Sequence, residues 1–192
     1  TVDECVRQLI LVGSNPDKIG LLDNFCMGNP EDPAELGRLV ECVKAIAKAA
    51  DAYNAPFISG KDSFYNYFET EDGPINVPVT FLCSGFGVVE SPDHATGSSL
   101  RRDDSLLYLI GNTEDEMGGS VFARTHGVND CKVPQTDCAK NMELYKAYYN
   151  ALTSGLVLSA HDVSEGGLAV TAAEMAFSGK GGVQLDLTKV PT

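Results

Sequence analysis

The stretch His161-Asp-Val-Ser-Glu-Gly-Gly-Leu168 concentrates residue types that bind both anions and cations. Asp162 and Ser164 offer acceptor oxygens, and Gly166-Gly167 lets a ligand approach the backbone closely. A helix starting here would turn unpaired N–H groups and partial positive charge toward an anion. The same residues also suit a plain helix cap, with Asp162 or Ser164 as the capping side chain and Glu165 in the first turn. A second candidate is Gly60-Lys61-Asp62-Ser63, where a glycine beside a lysine and an aspartate could hold a phosphate with its metal. It lacks the G-x-x-x-x-G-K-[ST] spacing of a Walker loop, and an ordinary turn with an exposed lysine also fits. A third is the i,i+4 pair Glu4 and Gln8, for which a solvated face with a Glu4–Arg7 contact is the simpler account. His161 is expected to pin the corner by hydrogen bonding, whereas His94 and His126 lie in polar loops and read as surface histidines.

These residues need elements to hold them. Val2, Cys5, Val6, Leu9 and Ile10 make one stripe of an amphipathic helix over residues 2–13, and the chain begins inside that helix, as an excised fragment would. Ile19–Leu22 reads as a short buried strand that delivers Asp23-Asn24 at its C-terminal end, where α/β proteins bind ligands. Asp32-Pro33-x-Glu35 is a strong helix start, and Asn54 before Pro56 is a stop. Leu36, Leu39, Val40, Val43, Ala47 and Ala50 are expected to form the core face between them. Pro56–Ser59 reads as a strand running into the Gly60–Ser63 turn; Phe64–Phe68 and Val77–Val89 read as strands joined by the turn Glu69–Pro74.

The texture changes between Ser91 and Arg102, and a domain boundary near residue 98 is expected there, giving units 1–98 and 99–192. Beyond it, Leu106–Ile110 and Gly155–Ala160 read as strands, with Val183–Leu187 as one more. Met142, Tyr145, Tyr149 and Leu152 form a helical stripe, and so do Leu168, Thr171, Ala172, Met175 and Ala176 before Gly179.

Charge and cysteine usage exclude some functions. A net charge of −13 gives no electrostatic footprint for DNA or RNA, so phosphates would need Mg²⁺ or aimed N–H groups to offset that repulsion. No apolar run approaches the roughly 20 residues that span a bilayer, and no export leader is visible. Six scattered cysteines, with no C-x-x-C and no histidine at zinc spacing, fit reduced thiols in a cytoplasmic protein.

Four stretches taken together resemble the phosphoribosylformylglycinamidine synthase family in order and spacing: Val2–Gln8, Leu22–Pro30, Pro56–Ser63 and His161–Leu168. Val133-Pro-Gln135 and Ala173–Phe177 fit as well. The resemblance implies a mixed α/β and α+β fold: an ATP-binding α/β domain like that of aminoimidazole ribonucleotide synthetase, truncated at its start, then part of the partner α+β domain, truncated at its end. Both would come from the second of two synthetase repeats. The implied reaction joins formylglycinamide ribonucleotide to glutamine-derived ammonia at the expense of ATP, making formylglycinamidine ribonucleotide for purine biosynthesis. Implied partners are a glutaminase domain or subunit, the other synthetase repeat, and a second copy of the fragment.

By the same resemblance Glu4 and Asp162 match Mg²⁺ positions, and Ser164 matches a nucleotide contact. Asp23 and Gly60 match ATP positions of the shorter members and Ser63 a substrate position, while Asp62 is a metal candidate from its place beside Gly60 and Lys61, not from the resemblance. Gln8 stands where the family has a metal-binding Asn, which moves its oxygen out by one methylene. Lys61 stands where shorter members place an Asn on the metal; an ammonium cannot ligate Mg²⁺, so it serves phosphate or neutralises Asp62. No residue matches the family's catalytic histidine, and the ATP or ADP held by this repeat is structural in the longer members. The alternatives are another ATP-using relative, such as selenophosphate synthetase or thiamine monophosphate kinase, and a non-catalytic module retained for packing or docking.

Overall fold

The structure, a computed structural model, describes residues 1–129, 131–179 and 181–190. The chain opens with α1 (Val2–Leu11), whose Val2, Val6 and Ile10 are buried along the expected stripe. Strand β1 (Ile19–Cys26) follows, then α2 (Pro33–Tyr53), β2 (Phe57–Ser63), the hairpin β3 (Tyr67–Thr70) and β4 (Gly73–Asn76), and β5 (Thr80–Gly87). The second half holds α3 (Val121–His126), α4 (Cys138–Thr153) and α5 (Gly167–Ser178).

Helix α2 shows how local chemistry sets boundaries. The Asp32 side chain accepts from the Ala34 amide, Pro33 fills the first helical position, and Asn54 ends the helix in the left-handed region with φ of 50°. Between β1 and β2, α2 serves as the long crossover that parallel strands require. The sheet order is β2-β1-β5, with β1–β2 parallel and β1–β5 antiparallel. Its helix-facing side buries Leu21 and Phe25, and Phe25 packs against Phe81 with ring centroids 5.0 Å apart.

The core crosses the two halves of the chain. Val2, Val6, Ile10, Ile19, Leu21, Tyr53, Ala55 and Met142 form one buried cluster, flanked by Tyr145, Tyr148 and Tyr149 of α4. The Tyr148 hydroxyl donates to the Leu11 carbonyl at 2.8 Å, satisfying an acceptor that the end of α1 leaves unpaired.

Several expectations are corrected. Strands β1 and β2 continue through Cys26 and Ser63, so Asp23 and Gly60–Ser63 lie within the sheet, not beyond its end. The Glu69–Pro74 turn is largely β-hairpin, because Tyr67–Thr70 pairs with Gly73–Asn76. Leu106–Ile110, Gly155–Ala160 and Val183–Leu187 are not strands. A strand needs a ladder of paired partners: Gly155–Ala160 makes only isolated bonds to Thr96 and Gly97, and Leu106 and Tyr108 are 76% and 79% exposed. The expected core face of α2 is exposed at Leu36, Val40 and Val43, since nothing described covers it. His126 ends α3 instead of lying in a loop, stacked on Phe122 at 4.2 Å.

Candidate functional site

Helix α1 carries Asp3 in its first turn and Arg7 one turn further on, with the acid N-terminal to the base as the backbone dipole favours. Arg7 pairs with Asp3, not with Glu4 as the sequence suggested. Asp3 Oδ2 accepts from Arg7 Nη1, while Oδ1 accepts from Tyr53 on α2 and from Asn141 and Tyr145 on α4, the last two at 2.9 and 2.8 Å. Burial by itself would raise the Asp3 pKa, but hydrogen bonds from Tyr53, Asn141 and Tyr145, with the Arg7 charge, hold it below the ordinary carboxylate value. Burial would likewise depress Arg7, and Asp3, Tyr145 and Asp162 carry it above its usual value instead. One carboxylate thus ties together three helices.

Arg7 also reaches the corner. Its Nη2 lies 3.5 Å from Asp162 Oδ2, and the other Asp162 oxygen lies 3.5 Å from His161 Nδ1. Asp162 is only 9% exposed, so its carboxylate is buried with two long contacts. An ionised carboxylate has about four lone-pair sites, and this one retains spare acceptor capacity. His161 pins the corner as expected: Nδ1 donates to the Asp162 carbonyl at 2.8 Å, and Nε2 faces Glu174 of α5 at 3.2 Å. Thr171 of α5 donates to the same carbonyl at 3.2 Å.

The corner itself is not the cap that its sequence suggested. Helix α5 begins at Gly167, and its N-cap is Gly166, with no side-chain cap hydrogen bond from Asp162 or Ser164. Gly166 and Gly167 have φ of 85° and 66°, left-handed values that side chains resist, so the backbone turns without help from a capping oxygen. Ser164 is exposed, and its carbonyl accepts from the Gly167 amide at 3.0 Å.

The other predicted residues lie on the sheet, with Asp23, Gly60 and Asp62 on one face and Lys61 and Ser63 on the opposite face of β2. Asp23 pairs in register with Gly60 across β1 and β2, and a Cβ on Gly60 would fall 1.7 Å from Asp23 Oδ1. Glycine at 60 is therefore what lets the Asp23 carboxylate lie across β2. Asp23 lines a cleft of about 220 Å³ with Phe25, Val43, Ile46, Ala47 and Phe57. Asp62 is shifted upward by burial and by the charge and hydrogen bond of Asp23, against a downward pull from Lys61. The Lys61 ammonium donates to Ser63 Oγ on the same strand.

Glu4 and Gln8 are exposed on α1 and, as an i,i+4 pair, share one face of it. Among the described residues no three His, Cys, Asp or Glu side chains form a metal-binding group, so Glu4, Asp62 and Asp162 are not gathered into one cluster. The sequence reading missed the Asp3–Tyr53–Asn141–Tyr145 junction. Its one visible signal was the Asp3–Arg7 spacing, since pattern alone assigns Tyr145 to the apolar stripe.

Comparison with known proteins defines the class. Residues 1–89 match the model for the AIR synthase related protein, N-terminal domain, and residues 102–192 match the C-terminal domain of the same description. The chain belongs to the AIR synthase related family. Its fold is accordingly mixed α/β and α+β, of the AIR synthase type. Among curated relatives it is similar to phosphoribosylformylglycinamidine synthase subunit PurL of Methanocaldococcus jannaschii, 36% identical over 192 residues, covering 98% of this chain and 26% of the relative. The PurL subunit of Thermococcus sibiricus is 35% identical over 190 residues, covering 99% and 26%. That of Caulobacter vibrioides is 35% identical over 188, covering 97% and 25%. The chain thus spans about a quarter of the length of these relatives. A chain in the crystal structure of a HypE–HypF complex shares the fold with a TM-score of 0.60 at 15% identity, covering 91% of this chain and 53% of that one.

Proposed function

We propose that this chain is part of a phosphoribosylformylglycinamidine synthase and contributes a Mg²⁺–nucleotide site from the second synthetase repeat. The observation that carries this is the Asp162 carboxylate, 9% exposed yet held by two contacts of 3.5 Å, beside a helix that bears Glu4 and Gln8. Oxygen donors of this kind suit a hard divalent cation. Asp162, Glu4 and Gln8 would hold Mg²⁺, and Ser164 the nucleotide at the open start of α5. A bound magnesium would neutralise phosphate charge that a surface of net charge −13 otherwise repels.

Asp23, Gly60 and Lys61 would meet ATP or ADP, with Ser63 toward the ribonucleotide substrate; Asp62, which lies apart from Glu4 and Asp162, would meet metal only as a separate ion at the sheet. The cleft beside Asp23, about 220 Å³, is below the roughly 300–1,000 Å³ of a complete ligand pocket, which supports a site finished by the rest of the parent enzyme. The two family matches leave residues 90–101 between them, which supports a boundary near residue 98, with units 1–98 and 99–192. This repeat carries no counterpart of the family's catalytic histidine; the nucleotide is structural, and the ATP-dependent ligase reaction belongs to the complete synthase with its glutaminase. A cytoplasmic location follows from that role; among the described residues no helix is long and apolar enough to cross a membrane.

Calorimetry with Mg-ADP on this chain, alongside Asp162→Asn, tests the reading. At a hundredfold excess over Kd, binding should stabilise the fold by about 2.7 kcal/mol, an effect that Asp162→Asn abolishes while staying folded. Loss of the fold in Asp162→Asn, with no response to Mg-ADP in the parent sequence, would make this corner structural.

A further inference from the structure

We infer that Arg7 is the positioning residue of the corner, transmitting the seat of α1 to the Asp162 carboxylate; this rests on reading Asp162 as a cation ligand. Asp3 is fixed by donors from α2 and α4, so the Arg7 guanidinium bonded to it is held at an angle that three helices set. Its second Nη then meets Asp162 at 3.5 Å. The rigid planar fork of arginine holds its two ends at a fixed spacing between the carboxylates; a lysine ammonium, with donors on one freely rotating atom, does not fix that geometry. Within the corner little else fixes that carboxylate. Helix α5 has no side-chain cap and begins on two left-handed glycines, and the His161 contact comes from the adjacent residue.

The asymmetry of the two contacts separates this role from an ordinary ion pair. Arg7 makes its short bond to Asp3 and its long one to Asp162, and its buried Nε has no hydrogen-bond partner among the described residues. Asp162 is thereby oriented without being saturated. Its remaining lone pairs stay free for a cation, which a tight bidentate pair would have consumed.

The test uses Arg7→Met and Arg7→Lys in this chain, read by hydrogen–deuterium exchange of residues 161–168, by melting temperature and by Mg-ADP affinity. Arg7→Met should speed exchange at the corner about tenfold and weaken Mg-ADP about tenfold. Arg7→Lys, which keeps a charge beside Asp3, should recover most of the melting temperature while corner exchange and affinity stay impaired. If Arg7→Met does not fold, Arg7→Lys alone carries the comparison. Corner exchange within twofold of the parent in folded Arg7→Lys overturns the proposal, as does affinity that recovers in step with melting temperature. Asp162→Asn with unaltered Mg-ADP binding would instead sink the nucleotide reading, and faster corner exchange in Arg7→Lys would still show Arg7 positioning the loop.

Discussion

Replacing Asp3 by Asn removes one charge and leaves the side chain's shape almost unchanged. Arg7 would then face an amide in place of a carboxylate, and three further donors would lose an ionised acceptor. Breaking a fully buried pair costs about 3–5 kcal/mol, but the Arg7 and Asp3 side chains keep 26% and 12% of their exposure, which screens part of that. Asn retains an oxygen for Tyr53, Asn141 and Tyr145, limiting the loss further. The net expectation is about 3 kcal/mol, or roughly 6–12 °C in melting temperature for a chain of this size. Urea titration and thermal melts measure it, with Asp17→Asn as control, because the exposed Asp17–Lys146 pair is worth about 1 kcal/mol at most. The pH dependence gives a second arm. The folded pKa of Asp3 is depressed, so its stabilisation is complete above the unfolded value of 3.8 and lost as pH falls through the lower folded value. The parent protein should therefore lose more stability than Asp3→Asn on acidification below about pH 4. An Asp3→Asn melt indistinguishable from that of Asp17→Asn would refute the junction as a source of stability.

Gly60→Ala should cost about 1–3 kcal/mol, since the new methyl overlaps the Asp23 carboxylate; an unchanged urea midpoint would show that Asp23 swings aside freely. The Cys5 thiol is drawn down to about 7, chiefly by a hydrogen bond from Cys83 against the opposing effects of burial and Glu4. Its alkylation rate should inflect near pH 7, and Cys83→Ala should move that inflection toward the ordinary thiol range near 8.5; an inflection already there in the parent contradicts the pairing. Exposed Leu82 and Phe86 on β5, with Ile58 on β2, leave apolar surface on the sheet, and self-association at high concentration is expected. Light scattering that reports a monomer throughout would refute it.

What the sequence conveyed depended on how local each determinant is. Helix α2 could be read from Asp32, Pro33 and Asn54 because caps act within a few residues. The buried positions of α4 and α5 followed from helical spacing, with Met142, Leu152, Ala172 and Met175 inside as their period required. Leu106–Ile110 is more densely apolar than β1 yet is no strand, because a strand depends on a ladder partner and a partner's presence does not show in local composition. Asp3 looked like an ordinary first-turn acid, and its donors sit 50, 138 and 142 residues away. The corner was recognisable as a corner, but Gly166, not Asp162 or Ser164, caps it. Asp162 turns instead to Arg7, a contact that no periodicity encodes.

Met142 and the α4 tyrosines are built into the same interior as Val6 and Ile10, although different family domains supply them. Homology and cooperativity therefore divide this chain differently. Severed near residue 98, neither piece would keep a dry interior, because the first would bare Tyr53 and α1 to water and the second would strand α4 without a floor. Mixed together, the pieces should reconstitute each other, as a split reporter does, and their recombination would measure directly how much of the whole resides in that shared interior.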